Sequence, residues 1–318
     1  MVLHDHSVPN FPQNLAIRPS DIDPQFINGT KYARSFGFEG QQESIGKYGI
    51  AGRVWEAAYA LTTYLDRHGT LDFDPPFIPD CNELEHQSFR IIELGSGTGI
   101  VSALMGETIA RPQRDVIFAT DLPEVCPLIE HNLRDLDRDV VRVRPLSWGN
   151  HEHALNILDE LQKSGLEQGI SHIICSDLVY FPELLGPLLR SLIQLSSPPF
   201  ALSEPVTVVI SYKVRSLAKE TPFWSAFGTW FTFSPVLAKL RDGPHRDRWE
   251  RFGSKLEGPV YVFVARRRPE SFVWSVPADD WELLQGCGSR AGYDTFETLM
   301  LLSVMEEDDD DDDNEVQT

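Results

Sequence analysis

The chain has 318 residues, 42% of them hydrophobic, with 48 acidic against 28 basic side chains and a formal net charge of −20. That length allows one catalytic domain with extensions and a sizeable core. The acidic balance disfavours a nucleic acid, whose phosphates it repels, and suits a basic protein partner better. Taking away the eight acids of 306–313 still leaves −12, so the body is acidic apart from its tail.

Cys81, Cys126, Cys175 and Cys287 are scattered without paired spacing, and nine histidines show no ligand spacing coupled to carboxylates, so neither disulfides nor a metal is expected. Residues 1–17 lack the charged start and apolar run of a secretory signal. No apolar run approaches the ~20 residues that span a bilayer. A monomer with a cytoplasmic address, shared or not with the nucleus, is the expectation.

In chain order, 1–28 is rich in proline and polar residues without a sustained period and reads as irregular. Residues 31–48 alternate in part and break at Gly40, which predicts a small hairpin. A helix follows over 54–67, with Trp55, Ala58, Tyr59, Leu61 and Leu65 on one apolar face, and then a loop over 75–84. Strands are predicted at 90–94, 116–120, 140–146, 173–176 and 206–212, and helices at 99–110, 124–136, 152–163 and 182–195. This alternation implies a parallel sheet with right-handed crossovers. Segments 231–237 and 260–265 would form a late hairpin, and a helix is predicted over 293–305 before an acidic run that cannot bury itself.

The strand at 90–94 closes on an acid and breaks into alternating glycines: Glu93-Leu94-Gly95-Ser96-Gly97-Thr98-Gly99. Glycines at 95, 97 and 99 permit positive φ and let backbone N–H groups approach a ligand that a Cβ would hold away. The next strand delivers Asp121 to the same edge 22 residues after Gly99, followed by Leu122. Later strands end in Leu146-Ser147-Trp148-Gly149 and in Cys175-Ser176-Asp177-Leu178-Val179-Tyr180. Four consecutive strands thus end in candidate ligand residues.

Together with Gly52-Arg53-Val54-Trp55-Glu56-Ala57-Ala58 before a helix, these motifs run collinearly with those of a known family from about residue 36 to 266. The chain resembles the seven-β-strand methyltransferases that use S-adenosylmethionine, and within them the protein-lysine branch called lysine methyltransferase family 16. The resemblance implies an α/β fold: a Rossmann-like, seven-stranded, mostly parallel sheet with a late antiparallel hairpin and helices on both faces. It divides the chain into an N-terminal extension with the small hairpin (1–50), a methyltransferase domain (51–266), a C-terminal extension packed on that domain (267–305) and an acidic disordered tail (306–318). It also implies methyl transfer to a protein lysine. Ile210 to Arg215, followed by Phe223 and Trp224, look most like fungal elongation-factor methyltransferases, which makes elongation factor 1A the expected partner.

By the same resemblance, the cofactor set is Trp55, Glu93, Gly95, Ser96, Gly97, Gly99, Asp121, Leu122, Trp148 and Ser176, and the acceptor set is Asp177 and Tyr180. Each has a structural alternative. Trp148 is either core or a stacking partner for adenine, and Trp55 either staples its helix to the sheet or stands beside the cofactor. Asp121 either reads ribose hydroxyls or caps the following helix. Glu93 braces the glycine turn, touches the methionine amino group, or does both. Asp177 either shapes the acceptor site or caps the helix at Pro182, where Tyr180 would merely pack. An aromatic channel of Trp55, Tyr180 and Tyr212 would disfavour an ammonium by desolvation. Rival readings are a small-molecule N-methyltransferase, a non-catalytic S-adenosylmethionine-binding scaffold and a nicotinamide dehydrogenase.

Overall fold

The computed structural model describes residues 16–21, 33–78, 88–165, 169–202, 205–242, 248–254, 259–286 and 295–300. Its centre is a seven-stranded sheet. The strands are β2 (Arg90–Leu94), β3 (Val116–Asp121), β4 (Val141–Pro145), β5 (His172–Ser176), β6 (Thr207–Lys213), β7 (Phe231–Pro235) and β10 (Val260–Arg267), in the order β4-β3-β2-β5-β6-β10-β7. The first five are mutually parallel, and β10 runs antiparallel between β6 and β7. The predicted seven-stranded sheet and its late antiparallel pair are thus present. A smaller sheet, β1 (Leu71–Asp74), β8 (Leu237–Leu240) and β9 (Glu250–Arg251), stands apart from it and has no counterpart in the expected fold.

The central strands are apolar on both faces because both are covered. Ile92, Leu94, Phe118, Ile173, Cys175, Val208 and Ile210 face one core, under helices α6 (His151–Lys163), α7 (Pro182–Leu195) and α8 (Leu217–Trp230). Their alternates Ile91, Ile117, Ala119, Ile174 and Val209 face the other, under α3 (Glu56–Leu65), α4 (Ile100–Thr108) and α5 (Cys126–Asn132). The first strand and α7 end where the sequence predicts; other boundaries move by a few residues, as helix ends commonly do. Helix α8 was not predicted. Pro222 lies inside it, and seven of the eight residues from Phe223 to Trp230 are buried, which leaves no one-sided stripe to read.

The hairpin predicted over 31–48 is corrected. Helices α1 (Ala33–Phe36) and α2 (Phe38–Tyr48) stand there. Glu39, Gln41, Gln42, Glu43 and Lys47 all favour helix, and Gly40 serves a close approach instead of a break: a Cβ on it would collide with the Arg34 carbonyl oxygen. The buried Gln41 amide then ties three segments together. Its Oε1 accepts from the Ser20 and Val54 amides, at 3.1 and 3.0 Å, and its Nε2 donates to the Phe36 carbonyl at 2.8 Å.

At the other end, residues 295–300 are helical and the rest of the predicted 293–305 helix lies outside the described residues, as does the acidic 306–318 segment. Phe296 is buried against Trp224 in a stacked pair at 5.1 Å, and α9 (Asp280–Leu284) is held to α7 by Arg190 and Asp280. Among the described residues no helix is long and apolar enough to cross a membrane.

Candidate active site

The sheet order reverses between β2 and β5, the switch point beyond whose strand ends α/β crevices form. The glycine turn sits there. Gly95, Gly97 and Gly99 all have positive φ, at 57°, 53° and 84°. All three also lie where a side chain would be crowded, a Cβ on Gly99 lying 3.2 Å from Ile129 Cγ2. A Cβ on Gly95 would lie 2.7 Å from Leu178 Cδ2 and 3.0 Å from Trp148 Cζ2, and one on Gly97 would lie 3.2 Å from the Ala51 carbonyl oxygen. The short 3₁₀ turn Gly49–Gly52 therefore closes over the glycine turn from the N-terminal side.

Asp121 fastens the turn to β3. Its Oδ2 accepts from the Gly97 amide and its Oδ1 from the Leu122 amide, both at 2.8 Å. Each oxygen keeps a lone pair for a ligand hydroxyl. Burial pushes this carboxyl up to about 6 against the help of those two amides. Ser96 turns inward: its amide donates to the Thr120 carbonyl at 2.9 Å and its hydroxyl accepts from the Thr120 amide at 3.0 Å. Its side chain is a clamp on β3.

Glu93 is buried within β2, and its carboxylate accepts from the Ser102 hydroxyl in the first turn of α4. Burial, more than the neighbouring Asp121 charge, raises it to about 7. Leu122 packs half-buried onto the α3–α5 core. Trp148 is half-buried too, its ring against Gly95, while the next amide, Gly149, donates to Ser191 Oγ on α7 at 2.7 Å. Trp148 thus packs against the core while part of it stays exposed. Ser176 is half-buried at the end of β5, 3.5 Å from the Ser211 hydroxyl.

The second half of the site surrounds Asp177, which is buried in a left-handed conformation at φ 61°. Asp177 does not cap α7: the residue at that position is Phe181, and no side chain bonds there. Its carboxylate instead takes Arg215, with Nη1 2.7 Å from Oδ1 and Nη2 on Oδ2, and the Lys213 amide reaches Oδ1 at 3.3 Å. Arg215 lies 5.3 Å from the Trp55 ring, and Arg53 lies 4.8 Å from the same ring. Glu56, at the start of α3, pairs with Arg53 at 2.7 Å and approaches Lys213 and Arg215 at 3.8 Å each.

Trp55 is half-buried with two guanidinium groups against its ring, and its indole N–H donates to the Ile50 carbonyl at 3.0 Å. Tyr180 is half-buried with its ring 4.7 Å from Phe181, and burial, with the Asp121 and Asp177 charges, raises its hydroxyl. Tyr212 does not join the aromatic channel. It faces the α7–α8 core fully buried, and its hydroxyl donates to Glu220. A period-2 count explains the error: Tyr212 shares its face with Val208 and Ile210, away from α3.

Sequence reasoning missed Arg53, Glu56, Arg215 and Ser102. Arg53 and Glu56 are three apart beside Trp55 and could have been read as a pair, whereas Arg215 meets Asp177 across 38 residues and leaves no local sign. A cavity of about 610 Å³ also opens between α1–α2 and α5, lined by Arg34, Lys47, Tyr48, His131 and Asn132 among others, and contains none of the predicted residues. The glycine turn, acids and aromatics stand beyond the strand ends and not in that groove.

Comparison with known proteins covers the same region. The lysine methyltransferase family model matches residues 40–227. Protein N-lysine methyltransferase METTL21A of Xenopus tropicalis is 29% identical over 156 residues, covering 47% of this chain and 57% of that protein. EEF1A lysine methyltransferase 3 of Mus musculus is 30% identical over 185 residues, covering 54% and 67%. Protein-lysine N-methyltransferase EFM6 of Saccharomyces cerevisiae is 26% identical over 181 residues, covering 55% and 69%. The chain thus spans between 57% and 69% of the length of these relatives.

Proposed function

The chain belongs to the lysine methyltransferase family, and from that premise we propose that it transfers a methyl group from S-adenosylmethionine to a lysine side chain of a protein, with elongation factor 1A as the substrate. One observation carries the reading: the glycine turn, Asp121, Trp148, Asp177 and Tyr180 follow the carboxyl ends of neighbouring strands, and Trp55, at the start of α3, lies against the Arg215 that holds Asp177. The substrate choice is supported by the name of one relative, an EEF1A lysine methyltransferase, and the choice of a protein lysine also by that of the yeast relative.

The residues fit the cofactor. Asp121 retains lone pairs for ribose hydroxyls, the exposed part of Trp148 offers a face for adenine, and Leu122 lies next to Asp121. Glu93 and the backbone of the glycine turn would hold the methionine end. When bound, S-adenosylmethionine would supply an activated sulfonium methyl, whose transfer to a neutral amine nitrogen would leave a thioether and a methylated ammonium. The protein's own task is orientation: Trp55 and Tyr180 bracket the amine, and well-oriented reactants gain ~7 to 11 kcal/mol over free encounter.

The reading is tested by incubating the protein with labelled S-adenosylmethionine and purified elongation factor 1A, with a lysate proteome in parallel, and mapping label by mass spectrometry. Label on a lysine is the expected result. Binding of the cofactor with no label on any protein would point to the scaffold reading, and label on a small amine to the other rival.

A further inference from the structure

The acceptor side of this same site holds a residue whose role, given the methyl-transfer reading on which it rests, goes beyond shape. Asp177 has no exposed side-chain surface, and three donors already occupy its two oxygens: both Arg215 Nη atoms and the Lys213 amide. A carboxylate offers about four acceptor positions, so an incoming amine meets one that is nearly filled. Arg215 is itself pinned. Its backbone amide and that of Ser216 donate to Glu220, at 3.3 and 3.1 Å, and Glu220 is buried beneath the loop with the Tyr212 hydroxyl on the same oxygen. The guanidinium then lies on Trp55 and beside Glu56.

An amine attacks only through a free lone pair. A free carboxylate within about 4–6 Å holds it as ammonium, by about one to three pKa units. Each unit lowers the neutral fraction about tenfold at a pH below the amine's own range. We propose that Arg215 is a positioning residue of the transfer site: it neutralises and immobilises Asp177, so that the acceptor lysine comes to rest beside a paired carboxylate and releases its proton to solvent water before transfer. The other charged and titratable groups facing this pair are Arg53 and Glu56 from the α3 end, Lys213 from β6, Glu220 from α8 and Tyr180 after β5, which in turn faces Asp121 and Glu183.

The experiment compares wild type with Arg215→Gln, Arg215→Lys and the double variant Asp177→Asn/Arg215→Gln. The rate of label transfer into elongation factor 1A, or into whichever lysate protein wild type labels, is followed from about pH 6 to 10, with calorimetric S-adenosylhomocysteine affinity beside it. Arg215→Gln is expected to bind S-adenosylhomocysteine within about threefold of wild type. Its transfer rate should fall about tenfold near pH 7 and recover above about pH 9, because the bared carboxylate moves the acidic limb of the profile upward. Arg215→Lys, and the double variant, in which neither charge remains, should return the limb toward wild type. A loss equal at every pH, or a double variant no better than Arg215→Gln, would overturn the proposal and assign Asp177 to direct contact with the amine. A wild-type protein that binds S-adenosylhomocysteine yet methylates nothing sinks the functional reading, and this inference falls with it.

Discussion

The Gly97 amide donates to Asp121 Oδ2 at 2.8 Å, so the middle glycine of the turn hangs on the acid that ends the next strand. With the Leu122 amide on Oδ1, that one carboxylate sets both the shape of the turn and the exit from β3. Replacing Asp121 by Ala leaves two amides without their acceptor, each worth about 1–3 kcal/mol if it stays dry. Affinity for S-adenosylhomocysteine is expected to fall on the order of 100-fold by calorimetry, with Asn, which keeps one acceptor oxygen, in between. An unchanged affinity in the Ala variant would detach Asp121 from the cofactor site.

Gly95 makes a second demand on the turn. Its φ of 57° disfavours any side chain by about 1–2 kcal/mol, and a Cβ would also press on Leu178 and Trp148. Gly95→Ala should weaken cofactor binding about tenfold or more by moving the Trp148 ring. Adding Leu178→Ala relieves one contact and not the backbone strain, so it should restore part of the affinity; full restoration would show that the conformation of the turn is not what matters.

Tyr212 and Trp55 should separate stability from activity. Tyr212→Phe leaves the buried Glu220 carboxylate short of a donor, at an expected loss of about 1–3 kcal/mol in urea unfolding. KM for the protein substrate should change little, because the hydroxyl faces the core. Trp55→Ala, on a half-buried ring with Arg53 and Arg215 against it, should do the reverse. The same outcome in both variants would mean that the two aromatics share one role.

Tyr212 was misplaced because a sequence carries local features better than distant ones. Strand ends, glycine turns and the acid after a strand are local, and β2, with Gly95 to Gly99 and Asp121 beyond it, was legible from them. Strand order was not, since nothing between 231 and 260 states that β10 inserts between β6 and β7; the resemblance supplied only a late antiparallel hairpin. Residues 33–48 misled because Gly40 reads as a breaker in one dimension and as a contact point in three. The pairing of Asp177 with Arg215 was invisible for a related reason: a charge pair formed across two strand ends has no period and no fixed spacing.

Glu93 gives the pH dependence. Its carboxyl is buried and raised to about 7, chiefly by desolvation, from an ordinary value of 4.5. The folded state therefore holds this proton more tightly than the unfolded one. The resulting penalty on stability is absent below about pH 4.5, grows as pH rises through the window and is complete above about pH 7, where it is on the order of 3 kcal/mol. Asp121, raised to about 6, acts with the same sign at lower pH and stays in place as background. Glu93→Gln keeps an acceptor for the Ser102 hydroxyl and removes the charge. In chemical denaturation it should gain stability over wild type near pH 8 by that order of magnitude and match it near pH 5. An equal change at both values would mean that the carboxylate is solvated or compensated in the folded state and that burial does not govern it.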